Sequence, residues 1–114
     1  MFTIISIDPN KSLTVKDVGL EFQWDSQKAK ENLRKHSISF EEAKTVFSDF
    51  FSLTIPDPIH SKVEERLVTI GYSEKQRLLV VVHTERDDEI RIISSRKATS
   101  YERKTYEARY IKST

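Results

Sequence analysis

The segment RIISSRKATSYERKTYE places cations and hydroxyl groups where a predicted strand passes into a predicted helix. Two serines are followed by Arg96 and Lys97, which directly precede the free backbone amides of the helix. Helix amides attract anions, and a guanidinium can bind a phosphate through two parallel hydrogen bonds. This arrangement favours a phosphate site at the junction. The alternative is an ion pair between Arg96 and Glu102, or between Arg96 and a carboxylate of the acidic turns.

The histidines are the next residues that could carry chemistry. His36, His60 and His83 are widely spaced and lack the i,i+4 pair of a helical zinc site, so no metal centre is predicted. His83 ends an apolar strand, where it is either a satisfied core residue or a proton carrier with an ordinary pKa near 6.5. No glycine-rich phosphate loop and no G-x-S-x-G motif occur, which disfavours nucleoside triphosphate binding and esterase chemistry. No cofactor is expected.

The composition indicates a local anion site on a nearly neutral domain. The 114 residues include no cysteine, and 32% are charged, with a net charge of +1. The segment from Arg96 to Lys112 carries six cations and two carboxylates, and Asp25 to His36 carries four cations and two carboxylates. The absence of cysteine suits a reducing compartment such as the cytoplasm. The longest aliphatic run, LLVVV, is far shorter than the ~20 residues of a membrane helix, so no membrane association is predicted.

Sequence signals define the elements that would position these residues. Asp25 suits the N-cap of a helix over SQKAKENLRKH, whose buried stripe is predicted to be Ala29 and Leu33. Ser39 and Glu42 match a capping box that opens a second short helix. FQW is compatible with a short strand, and the later strands are predicted at FSLTI, RLVTIGY, RLLVVVHTE and IRIIS. A second capping box, TSYE, opens the final helix.

The predicted fold class is α+β, with two N-terminal helices, an antiparallel sheet of three to four strands and a C-terminal helix. The helices are expected to cover one face of the sheet. Strict alternation along the last strand places Ile90, Ile92 and Ser94 on one face and the intervening residues on the other. Residues 1–20 are treated as an extension of unknown role, and residues 21–114 as the functional domain.

Four stretches in order resemble the BrnT family of type II toxins: NLRKH with SFEEA, ER with TIG, HTER, and RIISSRKAT. The resemblance implies a RelE-like fold and an RNA-cleaving toxin that a BrnA-like antitoxin holds inactive. That antitoxin would supply a ribbon-helix-helix module, so that DNA is contacted only through it. The family usually has glycine where Ser37 stands and alanine where Ser95 stands.

The resemblance carries over a set of residues, some of which are expected to serve the fold: Lys28, Asn32, His36, Arg66, Thr84, Arg86, Arg91, Ser94, Arg96, Glu102 and Tyr106. We predict that Arg66, Arg91 and Arg96 bind the phosphate and stabilise the transition state of a metal-independent endoribonuclease. His83 is the first choice for proton transfer, and Glu65 is the second. Further RNA contacts are predicted at Lys28, Lys35, Arg86, Ser94, Lys97 and Tyr106. The alternative hypothesis is a non-catalytic module that binds a protein or a nucleic acid.

Overall fold

The computed structural model describes residues 21–57 and 65–113. The predicted extension over residues 1–20 and His60 lie outside the described residues. The elements in chain order are β1 (Glu21–Gln23), α1 (Ser26–His36), α2 (Phe40–Lys44), a 3-10 helix (Thr45–Ser48), β2 (Leu53–Pro56), β3 (Leu67–Tyr72), β4 (Leu78–Arg86), β5 (Glu89–Lys97) and α3 (Ser100–Ser113). No helix within the described residues is both long and apolar enough to span a membrane.

The sheet has five strands in the order β1-β5-β4-β3-β2, so the predicted count of three to four is wrong. Strands β2 to β5 form an antiparallel meander, as predicted. The additional strand, β1, pairs in parallel with the start of β5, from Glu21 opposite Glu89 to Gln23 opposite Arg91. A strand of three residues has almost no sequence pattern of its own, and its direction depends on the path of the chain through α1 and α2.

Helices α1 and α2 cover one face of the sheet. The core on this side contains Phe40, Ala43 and Val46 from the helical region and Leu79 and Val81 from β4. Trp24 and Phe40 meet edge-to-face with ring centroids 5.8 Å apart. Because successive strand residues point to opposite faces, the remaining residues of β4 need a different cover.

Helix α3 supplies that cover on the opposite face, so the prediction that the helices lie on one face is wrong. A second cluster joins Ile70, Leu78 and Val80 to Tyr106 of α3. The Tyr106 hydroxyl donates to Asp49 Oδ2 at 2.7 Å, which ties α3 to the end of the 3-10 helix. The central strand is apolar on both faces, and burying both faces requires helices on both sides.

Helix α1 is joined to β5 by a buried amide. Of the predicted apolar stripe, Ala29 packs against the core but Leu33 is 52% exposed. Asn32 is buried instead, and its Nδ2 donates to the carbonyl oxygens of Ile38 and Ser95 at 2.9 Å each. Its Oδ1 accepts from the Ser95 backbone N–H at 3.0 Å. Asn32 therefore supplies hydrogen-bond partners for the backbone of Ser95 at the edge of β5, beyond Arg91, which is the last residue that pairs with β1. Its role is structural.

A β-bulge interrupts the pairing of β4 and β5. Val82 pairs with Ser94, whereas the next residue, His83, pairs with Ile92. Ile93 is therefore the extra residue of β5 and has no partner on β4.

The bulge reverses the alternation that the sequence predicted for the rest of β5. Ser94 was expected to share a face with Ile90 and Ile92, but Ser95 takes that place, opposite a core residue of β4. Arg96 consequently lies on the face that α1 and α2 leave open. A shift of one residue is sufficient because the side-chain period of a strand is two.

Candidate active site

A cavity of about 650 Å³ lies on the face of the sheet that α3 covers only in part. Strands β2 to β5 form its apolar floor, and the first two turns of α3 form one wall. Its lining residues are Leu53, Ile55, Pro56, Asp57, Arg66, Val68, Ile70, Val80, Val82, Ile93, Ser94, Arg96, Tyr101, Glu102 and Thr105.

Two arginines line this cavity, one directly before β3 and one on β5. Arg66 immediately precedes β3, and its carbonyl oxygen accepts from the Asp57 backbone N–H at 2.9 Å, which continues the ladder between β2 and β3. Arg96 lies near the end of β5, opposite Val80 of the central strand. The sequence separates the two by a whole hairpin, and the sheet brings them to one cavity.

Arg96 is held by Glu102 in a bidentate ion pair. Its Nη1 and Nη2 donate to the two carboxylate oxygens at 2.8 Å each. Hydrogen bonding to Arg96 lowers the pKa of Glu102 to about 2, and the carboxylate in turn raises the pKa of Arg96. This is the pairing that the sequence left open as the alternative to a phosphate site. The Arg96 side chain keeps 43% of its surface exposed.

Glu102 also completes the predicted capping box of α3. Its carboxylate accepts from the Thr99 backbone N–H at 2.8 Å, and its own N–H donates to the Thr99 hydroxyl at 3.1 Å. The helix start predicted to attract a phosphate therefore already holds a carboxylate. The cavity lining is also balanced in charge, because Asp57 and Glu102 match Arg66 and Arg96.

A second, polar cavity of about 520 Å³ lies further along the same face. It contains Arg91, whose Nη1 donates to Gln23 Oε1 at 3.4 Å, and Glu65, the neighbour of Arg66 in the chain. Arg91 and Thr84 are paired across β5 and β4. The full lining is Gln23, Glu65, Thr84, Glu85, Arg86, Glu89 and Arg91, in which three carboxylates face two guanidinium groups.

His83 lies on the other side of the sheet. Its ring is fully buried and packs edge-to-face against Phe47 at 4.8 Å. Nε2 shares a hydrogen bond of 2.7 Å with the Thr69 hydroxyl, and Nδ1 lies 3.6 Å from Glu85 Oε2. Burial lowers the pKa of His83 to about 4. The structure thus places this predicted proton carrier in the core, where it lines neither cavity, although its neighbour Glu85 lines the second one.

The predicted RNA contacts fall into three groups. Ser94 lines the first cavity and Arg86 the second, while Lys97 is exposed at the end of β5. Lys28 and Lys35 are exposed on α1, which covers the opposite face.

Tyr106 is the remaining predicted RNA contact, and it is buried. It is only 5% exposed, and its ring packs against Tyr72. The sequence offers the tyrosines of the last helix for packing or for base stacking, and of these Tyr101 was not among the predicted RNA contacts, although it lines the first cavity and is 79% exposed. The available signal was helical spacing, since Tyr101 and the cavity residue Thr105 lie four residues apart on α3.

Among the described residues, no group of three or more histidine, aspartate or glutamate side chains is arranged to hold a metal ion.

Comparison with known proteins gives two findings. The family model described as the ribonuclease toxin, BrnT, of type II toxin-antitoxin systems matches residues 24–102. Among solved structures, the chain is similar to the crystal structure of the Brucella abortus ribonuclease toxin, BrnT, with a TM-score of 0.56 and 21% sequence identity. That similarity covers 71% of this chain and 99% of the Brucella chain, and it supports the fold. No curated protein matches the sequence.

Proposed function

Because the chain belongs to the BrnT family of ribonuclease toxins of type II toxin-antitoxin systems, we propose that the open face of its sheet binds and cleaves RNA. The observation that carries the proposal is the meeting of Arg66 and Arg96 in one cavity. Guanidinium groups suit phosphate recognition because their planar arrays of donors match phosphate oxygens.

The proposed reaction is an intramolecular transesterification that needs no metal ion. The 2′-oxygen of one nucleotide forms a bond to the adjacent phosphorus, and the bond from phosphorus to the 5′-oxygen of the next nucleotide breaks. The products are a 2′,3′-cyclic phosphate and a 5′-hydroxyl. One group takes the proton of the attacking hydroxyl, and a proton is delivered to the leaving oxygen. Negative charge grows on the phosphate oxygens, where fixed cations stabilise the transition state most.

Arg96 and Arg66 are proposed to supply that stabilisation. Glu102 fixes the plane of the Arg96 guanidinium, and the phosphate approaches the exposed part of this group. A fixed orientation has value because a preorganised cation needs no rearrangement as charge develops. Arg91, Arg86, Ser94 and Lys97 are proposed to contact the flanking phosphates and sugars.

Proton transfer is assigned to Glu65 in preference to His83. Glu65 is exposed, lines the polar cavity and is the chain neighbour of Arg66. His83 is fully buried, so its imidazole has no contact with a substrate on the open face. Lys28, Lys35 and Tyr106 are likewise left out of the proposed site, since the first two lie on the opposite face and the third is buried.

We also propose that the chain acts in the cytoplasm with a BrnA-like antitoxin partner. The antitoxin would carry the ribbon-helix-helix module, so that the toxin reaches DNA only through it. A partner that buries Arg91 and Arg96 must present carboxylates, because an unpaired charge is costly to desolvate. Acidic side chains of the antitoxin are therefore expected beside these two arginines.

The decisive experiment incubates purified, antitoxin-free protein with RNA in the presence of EDTA. The expected result is cleavage that leaves 2′,3′-cyclic phosphate ends. Arg96→Ala and Arg66→Ala should each lower kcat/KM by about 10²–10³-fold, the usual loss for one charge-stabilising donor. Arg34→Ala is the matched control, because Arg34 is exposed on α1 on the far side of the sheet.

Full cleavage by both cavity variants would contradict the assignment of the two arginines. Intact RNA that nevertheless binds with strong salt dependence would support the non-catalytic module instead.

A further inference from the structure

The floor of the first cavity is an apolar surface that the protein leaves uncovered. Val68, Val82 and Ile93 are only half-buried there, and Ile55 is 43% exposed at the outer edge. On the other face, the core cluster beneath α1 and α2 buries Leu79 and Val81 of β4 and Ile90 and Ile92 of β5 completely. A concave site of about 650 Å³ lies within the range of roughly 300–1,000 Å³ that is typical of small-ligand sites.

Tyr101 turns this floor into a slot. It lies in the first turn of α3, and its ring forms part of the cavity wall. Among the described residues, no aromatic ring packs against it, and its side chain is 79% exposed. Tyr106 on the same helix behaves differently, because its ring packs against Tyr72 and its hydroxyl is bonded to Asp49. Tyr106 contributes to the core, whereas Tyr101 contributes nothing to it.

The charges of the cavity indicate what the slot accepts. Two arginines are balanced by two carboxylates, so the interior suits a neutral, flat and largely apolar group. Arg96, whose side chain is 43% exposed, lies at the same wall, because its partner Glu102 directly follows Tyr101 in the chain. An apolar slot beside a partly exposed arginine matches one nucleotide unit, whose uncharged base is joined through the sugar to a charged phosphate.

We propose that this cavity is a base-binding subsite, in which the ring of Tyr101 stacks on one nucleobase of the RNA while Arg96 contacts the adjacent phosphate. The proposal rests on the proposed function and deepens it, since it makes Tyr101 a residue that positions the substrate. The base lies between the tyrosine ring and the β-branched residues Val82 and Ile93. Stacking on an aromatic ring tolerates all four bases, and the shape of the slot restricts which of them fit.

The test uses short RNA oligonucleotides that carry the fluorescent base 2-aminopurine at successive positions. Each has 2′-O-methyl groups throughout, so that it binds but cannot be cleaved. The wild-type protein is expected to quench the fluorescence strongly at one position. Tyr101→Phe keeps the ring and should retain the quenching, whereas Tyr101→Ala should lose it.

Kinetics with cleavable RNA provide the second measurement. Tyr101→Ala should raise KM by about tenfold, the lower range for one lost stacking contact, with a smaller change in kcat. Phe50→Ala is the matched control, because Phe50 is another exposed aromatic residue, at 69%, that does not line the cavity. Thermal unfolding of both variants should stay close to that of the wild type, since neither ring is in the core.

Two results would overturn the inference. One is a Tyr101→Ala variant that quenches 2-aminopurine and cleaves RNA like the wild type. The other is a variant with unchanged RNA binding that no longer binds the antitoxin, which would assign the slot to a protein segment. Failure of the proposed function is separate, because it appears as wild-type protein that leaves the cleavable RNA intact while 2-aminopurine still reports binding.

Discussion

Two glutamate–arginine pairs lie on opposite faces of the sheet, and they differ in what surrounds them. Glu42 pairs with Arg77 on the face that α1 and α2 cover, and Glu102 pairs with Arg96 at the cavity. The Glu42 side chain is 1% exposed, and it also accepts from the Ser73 hydroxyl at 2.6 Å. Glu102 is 22% exposed, and its partner Arg96 is 43% exposed against 29% for Arg77.

The two ion pairs have the same chemistry but differ in burial, so we expect the buried pair to serve stability and propose that the more exposed one serves function. Glu42 joins α2 to the turn between β3 and β4, and Arg77 Nη2 also donates to the Ser37 carbonyl oxygen at 3.1 Å. Hydrogen bonding to Arg77 lowers the pKa of Glu42, so the pair is charged in the folded protein. The more exposed pair holds Arg96 in place at the lining of a cavity.

The largest effect on stability is expected from Glu42→Ala. Removing this carboxylate leaves the Ser73 hydroxyl and the Arg77 guanidinium without their buried acceptor, which should cost about 3 kcal/mol of unfolding free energy. Chemical denaturation measures this loss. Glu41→Ala is the matched control, because Glu41 is the exposed neighbour in the first turn of α2. Similar losses for Glu41→Ala and Glu42→Ala would remove the basis for calling the Glu42 pair structural.

Lowering the pH should reduce the stability of the protein, because His83 is buried as a neutral ring on the face that α1 and α2 cover. Its pKa is 6.5 in the unfolded chain and about 4 in the folded protein, so the folded state favours the neutral ring. This contribution to the free energy of unfolding is fully present above pH 6.5 and is lost as the pH falls to about 4. At about 1.36 kcal/mol per pKa unit, the loss is roughly 3 kcal/mol. Unfolding free energies measured between these pH values test it.

His83→Gln should flatten this pH dependence. The carboxylates Glu42 and Glu102 have lowered pKa values, so their contributions are lost only below about pH 4.5. Burial raises the pKa of the neighbouring Glu85, which opposes this decline, so the comparison is between wild type and variant: an equally steep decline in His83→Gln would contradict the role assigned to the buried ring.

Glu102→Ala should affect function more than stability. The loss of the cap and of a partly exposed ion pair should cost about 1 kcal/mol of unfolding free energy. Cleavage should fall by about tenfold or more, because the Arg96 guanidinium is no longer held in one orientation. Denaturation and kcat/KM measured on the same preparation compare the two. A variant as unstable as Glu42→Ala with undiminished kcat/KM would reverse the comparison between the two pairs.

The smallest effect concerns Ser37, whose carbonyl oxygen belongs to the network around Arg77. Ser37 ends α1 in the left-handed conformation, with φ of 60°. Glycine adopts this conformation without steric cost, so Ser37→Gly should stabilise the protein by about 0.5–1 kcal/mol. A thermal melt would detect the gain, with Ser48→Gly, at an exposed residue of the 3-10 helix, as a control that should not stabilise. A destabilised Ser37→Gly would show that the serine contributes something besides its backbone.

Local signals explain which parts of the fold could be predicted from the sequence. Asp25 accepts from the Lys28 N–H as an N-cap should, and Thr99 and Glu102 form both halves of a capping box. The box at Ser39 is only half formed. The serine accepts from the Glu42 N–H at 3.0 Å, but the Glu42 carboxylate is used by Arg77. The Glu42 carboxylate accepts from Arg77, which is distant in the chain, and not from the Ser39 backbone N–H. A short stretch of sequence cannot show that preference.

The site was harder to predict because it depends on long-range register. The convergence of Arg66 and Arg96 requires the pairing of three strands, and the accessibility of Arg96 requires the bulge in β5. The burial of His83 and Tyr106 depends on which face each helix covers. Ser95 has a hydroxyl buried without a hydrogen-bond partner among the described residues, at a position where alanine would fit equally well. None of these properties is encoded within one turn or one strand.

The bulge at Ile93 also determines where the length of this strand can change. Deleting this one residue would leave the pairs from Val82 with Ser94 to Val80 with Arg96 in register, so Arg96 would stay on the open face and Ser95 in the core. Keeping the residue but straightening the strand would have the opposite result, because each later side chain of β5 would turn to the other face. A three-nucleotide deletion at this codon would therefore remove one apolar side chain from the cavity lining and leave the rest of the strand as it is.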